Sequence, residues 1–261
     1  MKVSFYKYQG TGNDFIIIDN RSLGLPINDF AIIKKLCDRR FGIGADGLMF
    51  LQNKVGFDFE MVYYNSDGRE SSMCGNGGRC IVSFAQLLGI GEDKFQFNAI
   101  DGAHKATMTN DGTVSLQMKD VKLPITATND YVLNTGSPHF VRFVEGVQAI
   151  DVAKLGAEIR YSAPYSEQGI NVNFVEVMGD NKLFVRTYER GVEGETLSCG
   201  TGVVASAIAY HLHHSTPATA IQISTLGGAL QVSFDRVEEQ AINVWLTGPA
   251  QLVYEGIIDW E

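Results

Sequence analysis

Apolar and polar residues alternate along most of this chain, a pattern that predicts many β-strands. In the first half, apolar or alternating runs indicate strands at 3–9, 15–19, 47–52, 57–64, 95–100, 104–109 and 113–118. The second half has a similar series at 131–133, 139–144, 171–178, 183–188, 220–225, 229–234, 241–246 and 251–258. The run Asn110-Asp111-Gly112 between two of these strands is typical of a hairpin.

Helical periodicity appears twice in each half. Residues 29–39 and 151–159 have an amphipathic pattern, and each begins with an aspartate, Asp29 or Asp151, suited to the N-cap. Two other segments, 79–88 and 203–211, are apolar around most of their circumference and follow glycine-rich turns. We expect these two helices to be buried inside the strands.

An internal repeat relates the two halves. Cys74-Gly75-Asn76-Gly77 matches Cys199-Gly200-Thr201-Gly202 at an offset of 125 residues, and the segment 11–17 matches 135–141 at an offset of 124. Tyr64-Asn65 falls on Tyr188-Glu189 at the same offset of 124. Landmarks in one order at nearly one offset indicate a duplicated domain. A linker at 122–129, with Pro124 and a Thr/Ala-rich stretch, would separate domains 1–123 and 124–250.

Composition and charge exclude several classes of function. The chain has 261 residues with 30 acidic and 21 basic side chains, a net charge of −9, which argues against generic binding of nucleic acid or anionic lipid. The first residues lack the apolar stretch of a secretory signal, and no run approaches a membrane span. The four cysteines are too few for a disulfide scaffold. We therefore expect a soluble, cytoplasmic protein with reduced thiols.

The repeat places a cysteine directly before a glycine-rich helix start in each half. The first amides of a helix have no intrahelical acceptor and favour anions, so a thiol there has increased thiolate character. The same amides can hold a carboxylate. Two such thiols suit an enzyme that inverts a stereocentre, because one group removes a proton and the other returns one to the opposite face. Cys37 and Cys80, outside this pattern, are interpreted as packing residues.

Four segments resemble the diaminopimelate epimerase family. They are Met73-Cys74-Gly75-Asn76-Gly77-Gly78-Arg79-Cys80, the run 188–202 from Tyr188-Glu189-Arg190 to Ser198-Cys199-Gly200-Thr201-Gly202, the opening Gly10-Thr11-Gly12-Asn13-Asp14-Phe15, and Phe41-Gly42-Ile43-Gly44-Ala45-Asp46-Gly47. The resemblance implies epimerisation of LL- to meso-2,6-diaminopimelate, without pyridoxal phosphate, another cofactor or a metal, in lysine and peptidoglycan synthesis.

The resemblance also implies roles for individual residues. Cys74 and Cys199 would be the acid/base pair, with His139 and Glu189 tuning the thiols. The backbone amides of the two helix starts would hold the carboxylate at the reacting carbon, and other side chains would recognise the rest of the substrate. The implied carboxylate site comprises Gly75, Asn76, Gly200 and Thr201, and the implied recognition set comprises Asn13, Asn65, Asn171, Glu189 and Arg190.

The fold implied by the resemblance is α/β (α+β), with two pseudo-symmetric domains that each wrap a mixed sheet or barrel around a central helix. Residues 251–261 would return to the first domain, and the protein would be a homodimer. The sequence departs from the family at Ser137, where an Asn is frequent, and at Gly47, where some members have Gln. The loop 192–194 must also accommodate one residue more than its counterpart in the first half.

Other interpretations remain open on the sequence. A proline or hydroxyproline racemase of the same fold would need no distal recognition residues such as Asn65 and Arg190. A redox protein would pair Cys74 with Cys199, although redox motifs keep two thiols close in sequence. A cysteine hydrolase would leave the second thiol unexplained. His211, His213 and His214 could suggest a metal, but a solvated helix end explains them better.

Overall fold

The computed structural model describes residues 1–124, 130–216 and 220–260. It contains eighteen strands, four α-helices and one 3-10 helix in the described part of the chain. The strands are Lys2–Gly10 (β1), Asn13–Asp19 (β2), Gly47–Gln52 (β3), Phe59–Asn65 (β4), Glu70–Ser71 (β5), Lys94–Ala99 (β6), Gly102–Met108 (β7), Val114–Gln117 (β8), Val121–Lys122 (β9), Asp130–Asn134 (β10), Pro138–Phe143 (β11), Asn171–Gly179 (β12), Lys182–Glu189 (β13), Gly194–Thr196 (β14), Ile221–Thr225 (β15), Gly228–Val237 (β16), Gln240–Gly248 (β17) and Gln251–Asp259 (β18). The helices are Phe30–Cys37 (α1), Gly75–Leu87 (α2), Val152–Arg160 (α3) and Gly200–His214 (α4), and the 3-10 helix is Val147–Ala149.

The chain divides into two compact units. Unit 1 comprises Met1–Leu116 with Pro249–Glu261, and unit 2 comprises Gln117–Gly248. The division precedes the linker expected at 122–129, of which residues 125–129 lie outside the described part of the chain. The segment expected to return to the first half forms β18, which pairs antiparallel with β1.

The strands of unit 1 follow one another in a mixed order around α2. The pairs β18–β1, β1–β2, β3–β4, β6–β7 and β7–β8 are antiparallel, whereas β2–β3 and β4–β6 are parallel. Helix α2 contacts β1 and β2 near one end of this order and β7 near the other, so the sheet curves around the helix.

Unit 2 repeats this order. The pairs β10–β11, β12–β13, β15–β16 and β16–β17 are antiparallel, and β11–β12 and β13–β15 are parallel. Helix α4 contacts strands from β10 through β17. The expected buried helices are confirmed, since ten of the thirteen residues in α2 and eleven of the fifteen in α4 are buried. Both begin earlier than the apolar pattern indicated, at Gly75 and Gly200, because glycines form their first turns.

Each unit packs a second helix on the outer face of its sheet. The apolar faces of α1 and α3 contact buried strand residues such as Ile16 and Leu48 in unit 1 and Phe140 and Val172 in unit 2. The predicted N-caps are confirmed, since Asp29 accepts from the amide of Ile32 at 3.1 Å and Asp151 from that of Lys154 at 3.0 Å. The central strands are buried on both faces, and the inner face carries the residues that approach α2 or α4.

The end of α4 corrects one expectation. His213 and His214 are exposed, as a solvated helix end requires, but His211 is only 7 % exposed and packs against Phe234. Its burial follows from its position on the face of α4 that meets β16. The helices of the described ranges lack the length and apolar character that a membrane span requires.

Candidate active site

Cys74 lies at the N-cap of α2 in unit 1. Its backbone is extended, and its sulfur accepts a hydrogen bond from the amide of Gly77 at 3.2 Å. A Cβ at Gly77 would lie 3.1 Å from this sulfur and 3.4 Å from the sulfur of Met49, so glycine allows the first turn to approach both side chains. The half-buried Cys74 thus receives a backbone donor at the positive end of a helix, where thiolate is favoured.

A buried polar cluster surrounds the first turn of α2. The guanidinium of Arg79 is fully buried and donates to the carbonyl of Gly75 at 3.2 Å, to Oδ1 of Asn76 at 3.0 Å and to Oγ1 of Thr11 at 3.2 Å. Thr11 has a φ of 51°, which is unusual for a β-branched residue. Strained backbone held by a buried network is common at functional sites. Here it fixes the end of β1 against the helix start.

Asn13 belongs to a second network that extends from Asn76 to the surface. Its Nδ2 donates to a carboxylate oxygen of Asp46 at 2.6 Å, and its Oδ1 accepts from Asn76 at 3.4 Å. Arg39 forms a bidentate pair with Asp14, at 2.6 and 2.9 Å, and also donates to Asp46 at 2.8 Å. These charges fix the amide of Asn13 in one orientation.

Asp14 is the most strongly held carboxylate of this network. Burial opposes its ionisation, but hydrogen bonds from Arg39 and Lys7 outweigh burial and lower its pKa to about 2. Lys7, itself buried, lies 2.7 Å from Asp14. Asp14 is therefore a fixed anion at all pH values near neutrality.

Asn65 ends β4 and is exposed, unlike Asn13 and Asn76. Its amide and carbonyl close a turn with Arg69 and Gly68 at 3.0 and 2.9 Å. It pairs with Gly47, where an added Cβ would lie 2.5 Å from Tyr63. The departure at Gly47 thus has a physical reason, because the ring of Tyr63 occupies the space that a side chain would need.

In unit 2, Cys199 lies at the N-cap of α4, the position equivalent to Cys74. It is 8 % exposed, and its sulfur lies 3.5 Å from the hydroxyl of Thr201. The same hydroxyl lies 2.8 Å from Nε2 of His139, whose Nδ1 lies 3.1 Å from Nδ2 of Asn173. These four residues form a continuous hydrogen-bonded chain inside the unit.

The other partners of Asn173 fix the direction of each hydrogen bond in this chain. Asn173 Nδ2 also donates to the carbonyl of Phe140 at 2.9 Å, and its Oδ1 accepts from Thr187 at 3.0 Å, which fixes the amide orientation. Nδ1 of His139 is then an acceptor and its proton is on Nε2, which donates to Thr201. The hydroxyl proton of Thr201 is left to donate to the sulfur of Cys199.

His139 is neutral in this arrangement. Burial, followed by the positive charge of Arg190, lowers its pKa to about 3. With Nδ1 occupied and Nε2 protonated, the ring has no site for a proton from Cys199. His139 thus holds the hydroxyl of Thr201 through Nε2.

The other predicted residues of unit 2 form a polar group around Ser137. Asn171 donates to Oγ of Ser137 at 2.9 Å, and its Oδ1 accepts from the amide of Arg190 at 2.8 Å. The guanidinium of Arg190 donates to the carbonyl of Gln168 at 2.9 Å and approaches Ser137 at 3.5 Å. Ser137 thus links two of the predicted recognition residues, and half-buried Glu189 precedes Arg190 at the end of β13.

The loop after Glu189 accommodates its extra residue through Glu193. This residue has a φ of 55°, and its carboxylate accepts from the amide of Gly191 at 3.1 Å and from the hydroxyls of Tyr161 and Tyr188 at 3.1 and 3.2 Å. These hydrogen bonds hold the left-handed residue that the longer turn requires.

The structure therefore groups the predicted residues within each unit. Unit 1 contains Asn13, Asn65, Cys74, Gly75 and Asn76, and unit 2 contains His139, Asn171, Glu189, Arg190, Cys199, Gly200 and Thr201. Sequence reasoning missed Asn173 and assigned no role to Arg79. The repeat could have pointed to both residues, because each is polar where the other half has an apolar residue. Asn173 is equivalent to buried Met49, and Arg79 is equivalent to buried Val204.

Comparisons with known proteins identify the family of the chain. The family model described as diaminopimelate epimerase matches residues 5–124 and 131–253, one match in each half. A diaminopimelate epimerase of Flavobacterium psychrophilum is 52 % identical over 98 % of this chain and 100 % of its own length. One from Methanocella arvoryzae is 43 % identical over 99 % of this chain and 97 % of its own length.

Solved structures share the fold at low sequence identity. A phenazine biosynthesis protein of the PhzF family from Bacillus anthracis has a TM-score of 0.75 at 12 % identity and covers 100 % of both chains. A hydroxyproline epimerase from Agrobacterium vitis has a TM-score of 0.70 at 14 % identity, covering 98 % of this chain and 92 % of its own. At such identities the likeness concerns the fold alone, whereas the family model and the curated relatives span nearly the whole sequence. The chain belongs to the diaminopimelate epimerase family.

Proposed function

We propose that this chain interconverts LL- and meso-2,6-diaminopimelate, with Cys74 and Cys199 as the two proton-transfer groups. The observation that carries the proposal is the repeated helix start, because in each unit a cysteine precedes a buried helix whose first residue is glycine. Family membership supports the choice of substrate. The two units would be the two catalytic halves of one enzyme.

The proposed reaction needs only the two sulfurs. One thiolate removes the α-proton from one face of the reacting carbon and becomes a thiol. The other thiol delivers its proton to the opposite face and becomes a thiolate. Protons balance over the turnover, and the two sulfurs have exchanged states, so the reverse reaction uses them in opposite roles. No pyridoxal phosphate, other cofactor or metal enters these steps.

Negative charge develops at the carboxylate next to the reacting carbon. The first amides of α2 and α4, at Gly75, Asn76, Gly200 and Thr201, are the groups we assign to it. Fixed backbone donors aimed at developing charge supply a large part of the rate enhancement in many enzymes. Glycine at the first helical position of both helices leaves the backbone accessible to the substrate.

The far end of the substrate is a second amino acid group of fixed handedness. We assign its carboxylate to the guanidinium of Arg190, which can bind it through two donors, and its ammonium to Glu189. Asn171 holds the backbone of Arg190, and Asn13 and Asn65 supply further amide contacts in the proposal. His139 acts on Cys199 by orienting Thr201.

The compartment follows from the same chemistry. Both thiols must remain reduced, and a reducing cytoplasm keeps them so. We therefore place the reaction in cytoplasmic lysine and peptidoglycan precursor synthesis.

Exchange of the α-proton in heavy water tests the proposal. Reduced protein is incubated with LL-diaminopimelate and no added cofactor, beside Cys74→Ala, Cys199→Ala and Cys37→Ala. Cys37 is the last residue of α1 and is buried in the core of unit 1, so its variant is the matched control. We expect deuterium at one α-carbon together with formation of the meso isomer, lost in the first two variants and retained in the third.

The alternative outcomes are distinct. Exchange of proline or hydroxyproline but not diaminopimelate would retain the mechanism and reject the substrate. Activity that survives in either Cys74→Ala or Cys199→Ala would reject the two-thiol mechanism. No exchange with any of these amino acids would reject the function and favour a redox role for the two thiols.

We also propose that the protein is a homodimer formed through β18. This strand exposes four large apolar side chains, Leu252, Val253, Tyr254 and Ile257, with exposures of 42, 56, 45 and 68 %. A long apolar strand with exposed side chains invites pairing with another strand. A second copy fits, because it offers the same apolar strand in return.

Light scattering of the eluting protein tests the dimer. We expect the mass of two chains for the unchanged protein and of one chain for Ile257→Lys, which places a charge on the exposed strand. Gln251→Lys, at an exposed polar position of β18, is the control and should remain dimeric. A single-chain mass for the unchanged protein at micromolar concentration would reject the proposal.

A further inference from the structure

The fully buried guanidinium of Arg79 has neutral hydrogen-bond partners. Its donors reach the carbonyls of Gly75 and Pro249, the amide oxygen of Asn76 and the hydroxyl of Thr11, at 3.2, 3.4, 3.0 and 3.2 Å. Within the described ranges, no aspartate or glutamate forms an ion pair with it. A buried charge without a counter-ion is costly, so an anion nearby would be stabilised.

Two thiols are the titratable groups that act on this charge. Burial lowers the pKa of Arg79 to about 10, which leaves it protonated near neutral pH, and negative charge on Cys80 or Cys74 would raise it again. Complete burial raises the pKa of the Cys80 thiol far above its usual range, so Cys80 stays neutral. Cys74 is then the thiol that can supply the counter-ion.

The elements packed against α2 carry few other charges that could take this role. On β1, Lys7 is paired with Asp14, and burial raises the pKa of Tyr8 to about 12, so that Tyr8 is neutral. On β7, His104 lies 3.0 Å from Asp101. Beside Gly77, β2 and β3 present the apolar side chains of Phe15 and Met49, and the neutral amide of Asn13 on β2 contacts Asn76. The acidic residues of β18 are exposed.

In unit 2 no cation stands at the equivalent position of the helix, and the positive charge of Arg190 acts on His139. The position of Arg79 is taken by the fully buried Val204, and Cys199 receives its hydrogen bond from Thr201, which neutral His139 orients. The two thiols therefore differ in their electrostatic surroundings although they occupy equivalent backbone positions.

We propose that Arg79 is a positioning residue that makes Cys74 the thiolate of the resting protein and leaves Cys199 as the thiol. The guanidinium is held by the first turn of α2 and by Thr11, so it cannot turn away toward water. Arg79 acts through Cys74 and does not contact the reacting atoms. This inference rests on the proposed function for the meaning of the two thiols, but the state of each thiol can be measured without substrate.

The experiment is the pH dependence of alkylation by iodoacetamide, read separately for the Cys74 and Cys199 peptides by mass spectrometry. The midpoint of each profile reports thiolate formation and does not depend on how accessible the sulfur is. In the unchanged protein, we expect the Cys74 midpoint to lie at least one pH unit below that of Cys199. Cys199 is thus an internal control in every sample.

Two variants test the charge itself. In Arg79→Met, the Cys74 midpoint should rise by at least one pH unit, so that alkylation near neutral pH slows about tenfold, while the Cys199 midpoint stays unchanged. Arg79→Lys keeps the charge and should restore most of the shift. If Arg79→Met does not fold, the inference is still tested by Arg79→Lys and by the comparison of the two midpoints in the unchanged protein.

An unchanged Cys74 midpoint in folded Arg79→Met, or a Cys199 midpoint below that of Cys74 in the unchanged protein, would overturn the inference. The proposed function fails separately, in the heavy-water exchange. A protein that shows the alkylation asymmetry but exchanges no diaminopimelate would retain Arg79 in its role and lose only the assigned reaction.

Discussion

The starts of α2 and α4 have the same backbone arrangement, but different side chains surround the sulfurs of Cys74 and Cys199. Beside Gly77 in unit 1 lie the apolar side chains of Phe15 and Met49, whereas beside Gly202 in unit 2 lie His139 and Asn173, at the equivalent positions of the repeat. In both units these two residues come from a parallel strand pair, and each pair approaches its helix at the same glycine.

The difference shows how a duplicated site can become asymmetric. The glycine-rich turn and the cysteine are kept, because they hold the thiol at a helix start. The side chains behind the turn have diverged into a buried cation in one unit and a neutral hydrogen-bonded chain in the other. In the mechanism that we propose, the two thiols take opposite protonation states and benefit from unequal surroundings. Three changes should disturb this difference to decreasing extents.

Replacing Asn173, one of the two polar residues behind Gly202, by its unit 1 counterpart should have the largest effect. In Asn173→Met, Nδ1 of His139 loses its donor, and the ring no longer has a fixed tautomer with which to orient Thr201. Leaving a buried polar group without its partner costs about 1–3 kcal/mol. If this cost falls on the transition state, kcat should fall by about 10- to 100-fold, measured as formation of the meso isomer.

The matched control is Met49→Leu, a change of similar volume at the equivalent position of unit 1. Such apolar exchanges are well tolerated, so kcat should stay within about twofold. If Asn173→Met were as active as Met49→Leu, the hydrogen-bonded chain would have no part in catalysis.

The equivalent glycines should respond differently to a methyl group. A Cβ at Gly202 would lie 2.3 Å from Oδ1 of Asn173, whereas one at Gly77 would lie 3.1 Å from the sulfur of Cys74. We expect Gly202→Ala to lower the free energy of unfolding by about 1–3 kcal/mol, as overpacking does. At Gly77→Ala, the helix propensity of alanine, worth up to about 1 kcal/mol, offsets part of the strain.

Urea unfolding, followed by far-ultraviolet circular dichroism, measures both variants. A smaller loss in Gly202→Ala than in Gly77→Ala would contradict the close approach of Asn173 to α4.

As the pH falls below neutrality, unit 2 should lose stability before unit 1 does. His139 is neutral in the folded protein, with a pKa of about 3, but an unfolded histidine gains a proton below about pH 6.5. The unfolded state thus binds more protons between these values, and stability falls as pH falls, by at most about 1.4 kcal/mol per pH unit. His211 and His213, whose pKa values burial also lowers, act in the same direction.

Unit 1 should keep its stability over the same range. Despite burial, hydrogen bonds from Arg39 and Lys7 lower the pKa of Asp14 to about 2, so its contribution is fully present above about pH 4. Hydrogen exchange at pH 5 and 7, corrected for intrinsic rates, should show reduced protection in α4 and little change in α2. Equal loss in the two helices, or loss in α2 alone, would contradict this assignment.

Much of the fold could be predicted from the sequence because the signals are local. The aspartate N-caps, the amphipathic outer helices and the apolar inner helices each depend on a few neighbouring residues, and the repeat related the halves. Strands β5, β9 and β14 were missed because two or three residues are too few to show a periodicity. The apolar pattern of the inner helices began only at 79 and 203 because glycine is a poor indicator of helix, whereas the repeat placed both helix starts directly after a cysteine.

The site was only partly predictable, because the residues that pack behind the two cysteine turns are brought there by tertiary contacts. Cys74 and Cys199 are marked by their own turns, whereas Asn173 looks like an ordinary polar residue in a strand. Its role depends on His139 from the neighbouring strand and on Gly202 from the helix. Burial of His211 likewise depends on β16, which the helical pattern around it cannot reveal.

The pairing of β18 with β1 has a consequence for how the protein is made. Unit 2 is one continuous stretch of chain, so it can complete its fold as soon as it leaves the ribosome. Unit 1 begins first, but the partner of β1 is synthesised only after the whole of unit 2. Until then the edge of β1 is unpaired and open to wrong partners. Completion of the first-made half is therefore coupled to the synthesis of the second, and a polypeptide halted before β18 would leave Cys74 in an unfinished unit.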